Sequence, residues 1–221
     1  MTELAIALIA GYLLGSISGS LVLGRLRGVD IRQLGSGNAG GTNALRTVGW
    51  QFALGVVLID VGKGAVAAGL VPLALLQLPF AVLEFPTMAA AAGFTAVLGH
   101  IWPLYFRFRG GKGAGTAVGA VAIAAPWCLL PLLLVWVVTI IGTGYVGLAT
   151  ILAGLSIVPA MWLLGPEELP PALGVLAIAL AALLIFTHRD NLTRMREGSE
   201  NRFEKARLIK RRRNTPPHDE S

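Results

Sequence analysis

The hydrophobic positions of this chain fall in long blocks instead of alternating with polar ones. Apolar residues fill 4–23, 52–77, 85–106, 113–164 and 170–187, and short polar or basic segments separate the blocks. Each block is at least 18 residues long, the length a helix needs to cross the hydrocarbon core. Backbone polar groups must be satisfied internally in lipid, so uncharged blocks of this length predict helices, not an open sheet or a barrel. The spans read as Leu4–Leu23, 52–77 (closed by Pro79), 85–106 and 170–187. The stretch 113–164 is too long for two spans and holds breaks at Pro126, Pro131 and Gly142-Thr143-Gly144. Three spans fit it if two are short, about 113–125 and 128–141. Thirteen residues cover only about 20 Å at ~1.5 Å rise per residue, which is tolerated where neighbours bury the helix or the layer is thinned.

Composition and charge turn this pattern into a topology. Of the 221 residues 55% are hydrophobic and 14% are charged, and the mean hydropathy is +0.71, which excludes an ordinary soluble domain. All 18 Lys and Arg lie within Arg25–Lys63, Arg107–Lys112 and Arg189–Arg213, while the loops between hold Glu84, Glu167 and Glu168. By the positive-inside rule the three basic regions are cytoplasmic. Six spans would leave ten basic residues of the tail outside. Seven satisfy the rule, so the expected fold class is all-α, a polytopic integral membrane protein with about seven transmembrane helices, N-terminus outside and C-terminus cytoplasmic. The first block lacks a basic leader, carries Glu3 and runs straight into a polar segment, so it is read as a span and not a cleaved signal peptide. One transmembrane domain over 1–200 is expected, followed by a polar, basic, disordered or membrane-skimming tail over 201–221. The net charge of +6 fits anionic lipid; without interleaved aromatics the tail does not read as a nucleic-acid binder. The lone Cys128 allows no internal disulfide and reads as a small core residue.

Chemistry concentrates in the polar segments. Gly35-Ser36-Gly37-Asn38-Ala39-Gly40-Gly41-Thr42-Asn43, with Arg46 a turn later, cannot build an apolar core. Glycines let backbone N–H groups approach an anion, and hydroxyls, amides and a guanidinium complete the shell; Thr42–Val48 reads as a half-helix in the interface. Asp60-Val61-Gly62-Lys63 places an acid and a base at i,i+3 inside a span, either as a self-satisfied pair or as a cavity wall. Gly99-His100 precedes Arg107-Phe108-Arg109-Gly110-Gly111-Lys112-Gly113 and Thr116, which sets Lys112 between glycines at a helix start. This is not a Walker A loop, because Gly113 follows the lysine. Finally, His188-Arg189-Asp190-Asn191 is followed by Arg194. Together these clusters offer cations and few carboxylates. That suits phosphate monoesters and argues against a metal-held phosphotransfer site, which needs several aspartates.

The same residues resemble the PlsY family, the bacterial integral-membrane acyl-phosphate:glycerol-3-phosphate acyltransferases. The glycine-rich motif spans Gly35–Arg46, with Gly41 where alanine is usual. A second matches Gly99-His100, Pro103 and Gly110–Gly113, and a third matches His188, Arg189, Asn191, Arg194, Gly198 and Glu200. Ser18 and Ala114-Gly115 depart from the pattern without touching an ionisable group. The likeness covers about residues 4–200. It implies transfer of a fatty acyl group from acyl phosphate to the sn-1 hydroxyl of glycerol 3-phosphate in phospholipid biosynthesis, giving lysophosphatidic acid and phosphate. It implies no cofactor and no metal, membrane lipids and the two substrates as partners, and a bacterial inner-membrane location with the site facing the cytoplasm. The expected catalytic residues are Ser36, Arg46, Lys112, His188 and Asn191, with Ser36 assigned to binding rather than nucleophilic attack. The expected phosphate-binding residues are Gly35, Gly37, Asn38, Thr42, Asn43, Lys63, His100, Gly111, Gly113, Thr116 and Arg194. A transporter of a phosphorylated metabolite is the alternative, although no internal repeat is visible. A basic lipid-binding scaffold is a third reading.

Overall fold

The computed structural model describes residues 1–79 and 81–203. Among these the order is α1 (Thr2–Gly15), α2 (Gly19–Leu26), α3 (Gly41–Thr47), α4 (Trp50–Leu75), α5 (Phe85–Ile101), α6 (Ala114–Ala124), α7 (Leu129–Thr143), α8 (Val146–Leu163), α9 (Pro171–Thr187) and α10 (Arg189–Arg196), joined by loops and 3₁₀ turns. The all-helical expectation holds. Four segments are long and apolar enough to cross a membrane: α4, Phe85–Phe106, Pro126–Thr143 and α8. Two bent pairs, α1–α2 at 41° and α9–α10 at 48°, raise the count to six by length and composition, and α6 is a shorter apolar helix. Leu58 and Leu70 on α4, Leu130 and Val138 on α7, and Val175 on α9 are exposed, as side chains facing lipid are. The chain is a multi-pass membrane protein.

Small residues decide how the helices meet. A Cβ at Gly15 or Gly99 would collide with the backbone of the facing helix, which locks α1 to α5. A Cβ at Gly64 would strike the Thr116 carbonyl and one at Gly119 the Val61 carbonyl, which locks α4 to α6. Close backbone approach at small residues is the usual route to helix association where burial gives no hydrophobic gain. The 11-residue α6 covers only about 17 Å, and α4, α5 and the core around Ala117, Val121 and Ala124 enclose it. The two short helices expected at 113–125 and 128–141 thus take form as α6 and α7.

The first span differs from expectation. It is not one helix over Leu4–Leu23 but breaks at Ser16–Ser18. The freed backbone groups find partners from other helices. The Gly19 N–H donates to Asp60 Oδ1 at 3.1 Å, and Lys63 Nζ donates to the Ile17 carbonyl at 2.9 Å. Asp60 and Lys63 also pair with each other at 2.9 Å. Irregular backbone at membrane depth persists only where protein satisfies it, and here a buried ion pair does so. At the opposite end, the buried Glu3 carboxylate accepts the Val82 and Leu83 N–H groups at 3.2 Å each.

Residues 201–203 follow Glu200 outside any helix. The Phe203 N–H donates to the Gly144 carbonyl at 2.8 Å and Arg202 Nε to the Tyr145 hydroxyl at 2.7 Å. Arg202 and Phe203 are therefore pinned to the turn between α7 and α8. The remainder of the expected tail lies outside the described residues.

Candidate active site

The glycine-rich turn is built around one asparagine. Asn43 is 2% exposed. Its Nδ2 donates to the Ile31, Leu34 and Asn38 carbonyls at 3.2, 2.9 and 3.1 Å, and its Oδ1 accepts the Ser36 N–H at 3.1 Å. Gly35 and Gly37 take left-handed φ of 55° and 71°, a conformation that costs other residues. The turn thus presents Ser36, Gly37 and Asn38 at the surface. On α3, Thr42 and Arg46 lie a turn apart on the same side, and Arg46 has no hydrogen-bond partner among the described residues. Ser20 Oγ donates to the Ala39 carbonyl at 2.9 Å and ties the turn to α2.

The second segment folds back onto the end of α5. Gly110 N–H donates to the Ile101 carbonyl and Gly111 N–H to the His100 carbonyl, both at 3.1 Å. A Cβ at Gly110 would overlap the His100 carbonyl, so this approach needs glycine. Gly113, at φ 87°, opens α6, and Thr187 Oγ1 donates to the Lys112 carbonyl at 3.1 Å. Lys112 is thereby set beside the α9–α10 bend.

That bend carries the third group. His188 Nδ1 lies 2.8 Å from the Leu184 carbonyl, which can only accept, so Nδ1 bears the proton and Nε2 keeps its lone pair. Burial first, then the neighbouring Lys112 charge, lowers the His188 pKa to about 4, so the ring is neutral at pH 7. Asn191 Oδ1 accepts from Lys112 Nζ, and its Nδ2 donates to Glu200 Oε1 at 2.6 Å. Glu200 Oε2 accepts from Arg194 Nε at 2.7 Å. Burial, then Arg194, lowers the Lys112 pKa to about 8, which leaves the ammonium predominantly charged at pH 7.

Two cavities meet among these residues. One, of about 270 Å³, is polar; Ser36, Gly37, Asn38, Thr42, Asn43, Arg46, Lys112, His188, Asn191 and Arg194 line it, with Asp190 and Glu200. The other, of about 390 Å³, runs between α4, α6, α7 and α8 along Val57, Val118, Leu132, Leu133, Trp136 and Ile157. Asn38, Thr42, Lys112, Val146 and His188 belong to both walls.

All five expected catalytic residues thus line one cavity. Several other candidates do not. Lys63 is 7% exposed, and its ammonium is occupied by Asp60, the Ile17 carbonyl and His100 Nδ1; from α4 it supports the break in the first span and does not line the polar cavity. His100 and Gly113 line the apolar cavity instead. Gly35 packs against Asn43 and Gly111 against the His100 ring, so both shape the wall from behind. Thr116 is buried with no partner for its hydroxyl among the described residues. Asn43 does reach the wall of the polar cavity, but its amide is engaged within the turn. Val146, Gly147, Asp190 and Asn201 line the polar cavity without having been expected. So does Glu200, whose place in the third motif was the available signal.

This arrangement has relatives. The glycerol-3-phosphate acyltransferase family model matches residues 5–198. A glycerol-3-phosphate acyltransferase of Shouchella clausii is 40% identical over 210 residues, covering 93% of this chain and 98% of that one. One of Chlorobaculum parvum is 38% identical over 229 residues, covering 92% and 97%. Among solved structures, PlsY, an integral membrane glycerol 3-phosphate acyltransferase, matches in its glycerol 3-phosphate form with TM-score 0.77 and 36% identity, over 92% of this chain and 96% of that one. Its lysophosphatidic acid form matches with TM-score 0.77 and 34% identity, over 93% and 98%. The family model spans most of the chain, and the chain is therefore a member of the glycerol-3-phosphate acyltransferase family.

Proposed function

We propose that this protein transfers a fatty acyl group from acyl phosphate to the sn-1 hydroxyl of glycerol 3-phosphate. The observation that carries the reading is the junction of a cationic polar cavity with an apolar one across Lys112 and His188. A phosphorylated polyol suits the first. An acyl chain suits the second, with its activated carbonyl at the junction. The family membership and the ligands named for the solved PlsY forms, glycerol 3-phosphate and lysophosphatidic acid, support it.

In this mechanism Arg46, Lys112 and the Ser36–Asn38 turn hold phosphate oxygens, and Asn191 orients the acceptor. Bringing two like-charged phosphates together is the main cost, which the cations offset. The sn-1 oxygen attacks the acyl carbon, the bond from that carbon to the phosphate oxygen breaks, and the hydroxyl proton passes to the departing phosphate. A phosphate with a second pKa near ~6 can accept it; His188 Nε2 is the protein base in reach of the junction. No acyl-enzyme, cofactor or metal takes part. The seven-span topology, with the N-terminus outside and the site on the cytoplasmic face of a bacterial inner membrane, belongs to the same proposal. Purified protein incubated with acyl phosphate and glycerol 3-phosphate, followed by lysophosphatidic acid analysis, tests it. Binding of both without turnover favours the transporter alternative.

A further inference from the structure

We propose that Ile157 and Leu132 set the longest acyl chain this protein accepts, because together they close the inner end of the apolar cavity. The inference rests on the acyl-phosphate reading above and deepens it by naming the class of donor, a chain about as long as one leaflet of the bilayer. α7 and α8 run antiparallel from the turn at Gly144, so residues equally far from that turn sit at equal depth. Val146 belongs to the walls of both cavities and marks their junction. Ile157 lies eleven residues further along α8, and Leu132 lies eleven residues before Thr143 on α7. Both line the apolar cavity, and none of its other α7 or α8 wall residues lies deeper. At ~1.5 Å rise per residue that depth is about 16 Å, close to half of the ~30 Å hydrocarbon core.

The two side chains form a floor. Ile157 is 0% exposed and Leu132 5%. Behind them Val121, Ala125, Cys128 and Met161, all buried, belong to the same core cluster, and the Cys128 thiol lies 4.0 Å from the Ile157 carbonyl. On α6 the cavity wall reaches only to Val118; Val121, almost one turn deeper, is already within that core. A chain with its carbonyl at the junction beside Lys112 and His188 therefore runs down the seam of α7 and α8 and meets branched side chains at its methyl end. Each methylene above the floor is buried and adds to binding. One beyond it must displace the floor or turn aside past Leu133, which is 42% exposed. Ala153 lines the same wall about 10 Å below Val146 by helical rise, and its small side chain leaves the passage to the floor open.

The test is a chain-length series on the full chain in nanodiscs, with lauroyl, myristoyl, palmitoyl, stearoyl and arachidoyl phosphate, each paired with glycerol 3-phosphate. Each variant is scored by the ratio of kcat/KM between donors in one preparation, which a loss of folded protein does not change. Wild type should fall about tenfold for the first donor longer than its best one, the scale on which an apolar pocket resolves a methylene or two. Ile157→Ala and Leu132→Ala lower the floor and should each move the optimum to a longer donor. Ala153→Leu raises it and should move the optimum to a shorter one, with KM for glycerol 3-phosphate as in wild type. General loosening of the helices would not shift the optimum in opposite directions. A wild-type rate that stays level from palmitoyl to arachidoyl phosphate, or an optimum that the variants share with wild type, overturns this assignment alone. Failure of wild type to turn over any acyl phosphate overturns the underlying reading.

Discussion

Lys112 donates to the side-chain oxygen of Asn191, 79 positions further along the chain. This contact joins the glycine-flanked loop to the α9–α10 bend, and Glu200 secures the far side of the same amide. Lys112 is thus held in place while its charge remains in a cavity with Arg46. Arg46→Ala and Lys112→Ala should each remove a charge-assisted phosphate contact, worth about 1.5–3 kcal/mol or roughly 10–150-fold in kcat/KM. Lys112→Arg keeps the charge but not the compact point geometry, so it should recover little. Full activity of Lys112→Arg in a steady-state assay would mean that the lysine only orients the protein in the membrane.

Gly147 should prove as intolerant as the charged residues. Its missing side chain leaves room for Asn191: a Cβ there would stand 2.7 Å from the Asn191 Cβ and 2.9 Å from its Nδ2. Asn191 cannot step aside without loosening its bonds to Lys112 and Glu200. Gly147→Ala should lower kcat/KM about tenfold or more while the thermal midpoint falls only slightly, measured by turnover and by thermal unfolding in detergent.

The pH profile follows from the two buried groups. Lys112 has its pKa lowered to about 8, so its charge is present below that value and lost as pH rises through it. The kcat/KM of the free enzyme should therefore decline on the alkaline side from about pH 8. His188, lowered to about 4, stays neutral from pH 5 upward and adds no step there. In Lys112→Arg the alkaline limb should vanish, because a guanidinium does not deprotonate in this range. If His188→Ala keeps a substantial rate with the same profile, the substrate phosphate takes the proton.

Topology is open to direct labelling. With the basic segments cytoplasmic, a cysteine placed at Ser199 in a Cys128→Ser background should resist an impermeant thiol reagent in intact cells and react after permeabilisation. Labelling from outside would remove the odd-span arrangement.

Much of this molecule could be read from its residues, for identifiable reasons. The short α6 and α7 were legible because Pro126 and the glycines near 142–144 interrupt an otherwise uniform apolar block, and the three motifs were legible because their glycines and cations have no role in a core. The break at Ser16–Ser18 was not. Its stability comes from Asp60 and Lys63, more than 40 positions away, and no local pattern announces that. For the same reason Lys63 read as a phosphate ligand: an intramembrane cation looks the same in sequence whether it meets a substrate or a carbonyl. Gly147 and the seat of Glu200 depend on how α8, α10 and the following segment approach one another, which spacing alone does not encode.

The central claim is that the two cavities bring an acyl phosphate carbonyl to a glycerol 3-phosphate hydroxyl. Its most direct measurement is a single assay of purified protein in lipid nanodiscs, with palmitoyl phosphate and glycerol 3-phosphate, in buffer containing EDTA. The account predicts 1-acylglycerol 3-phosphate and inorganic phosphate in equal amounts, with no acyl group retained on the denatured protein. Absence of product, dependence on acyl-CoA as donor, loss of activity in EDTA, or recovery of labelled acyl-protein would contradict it.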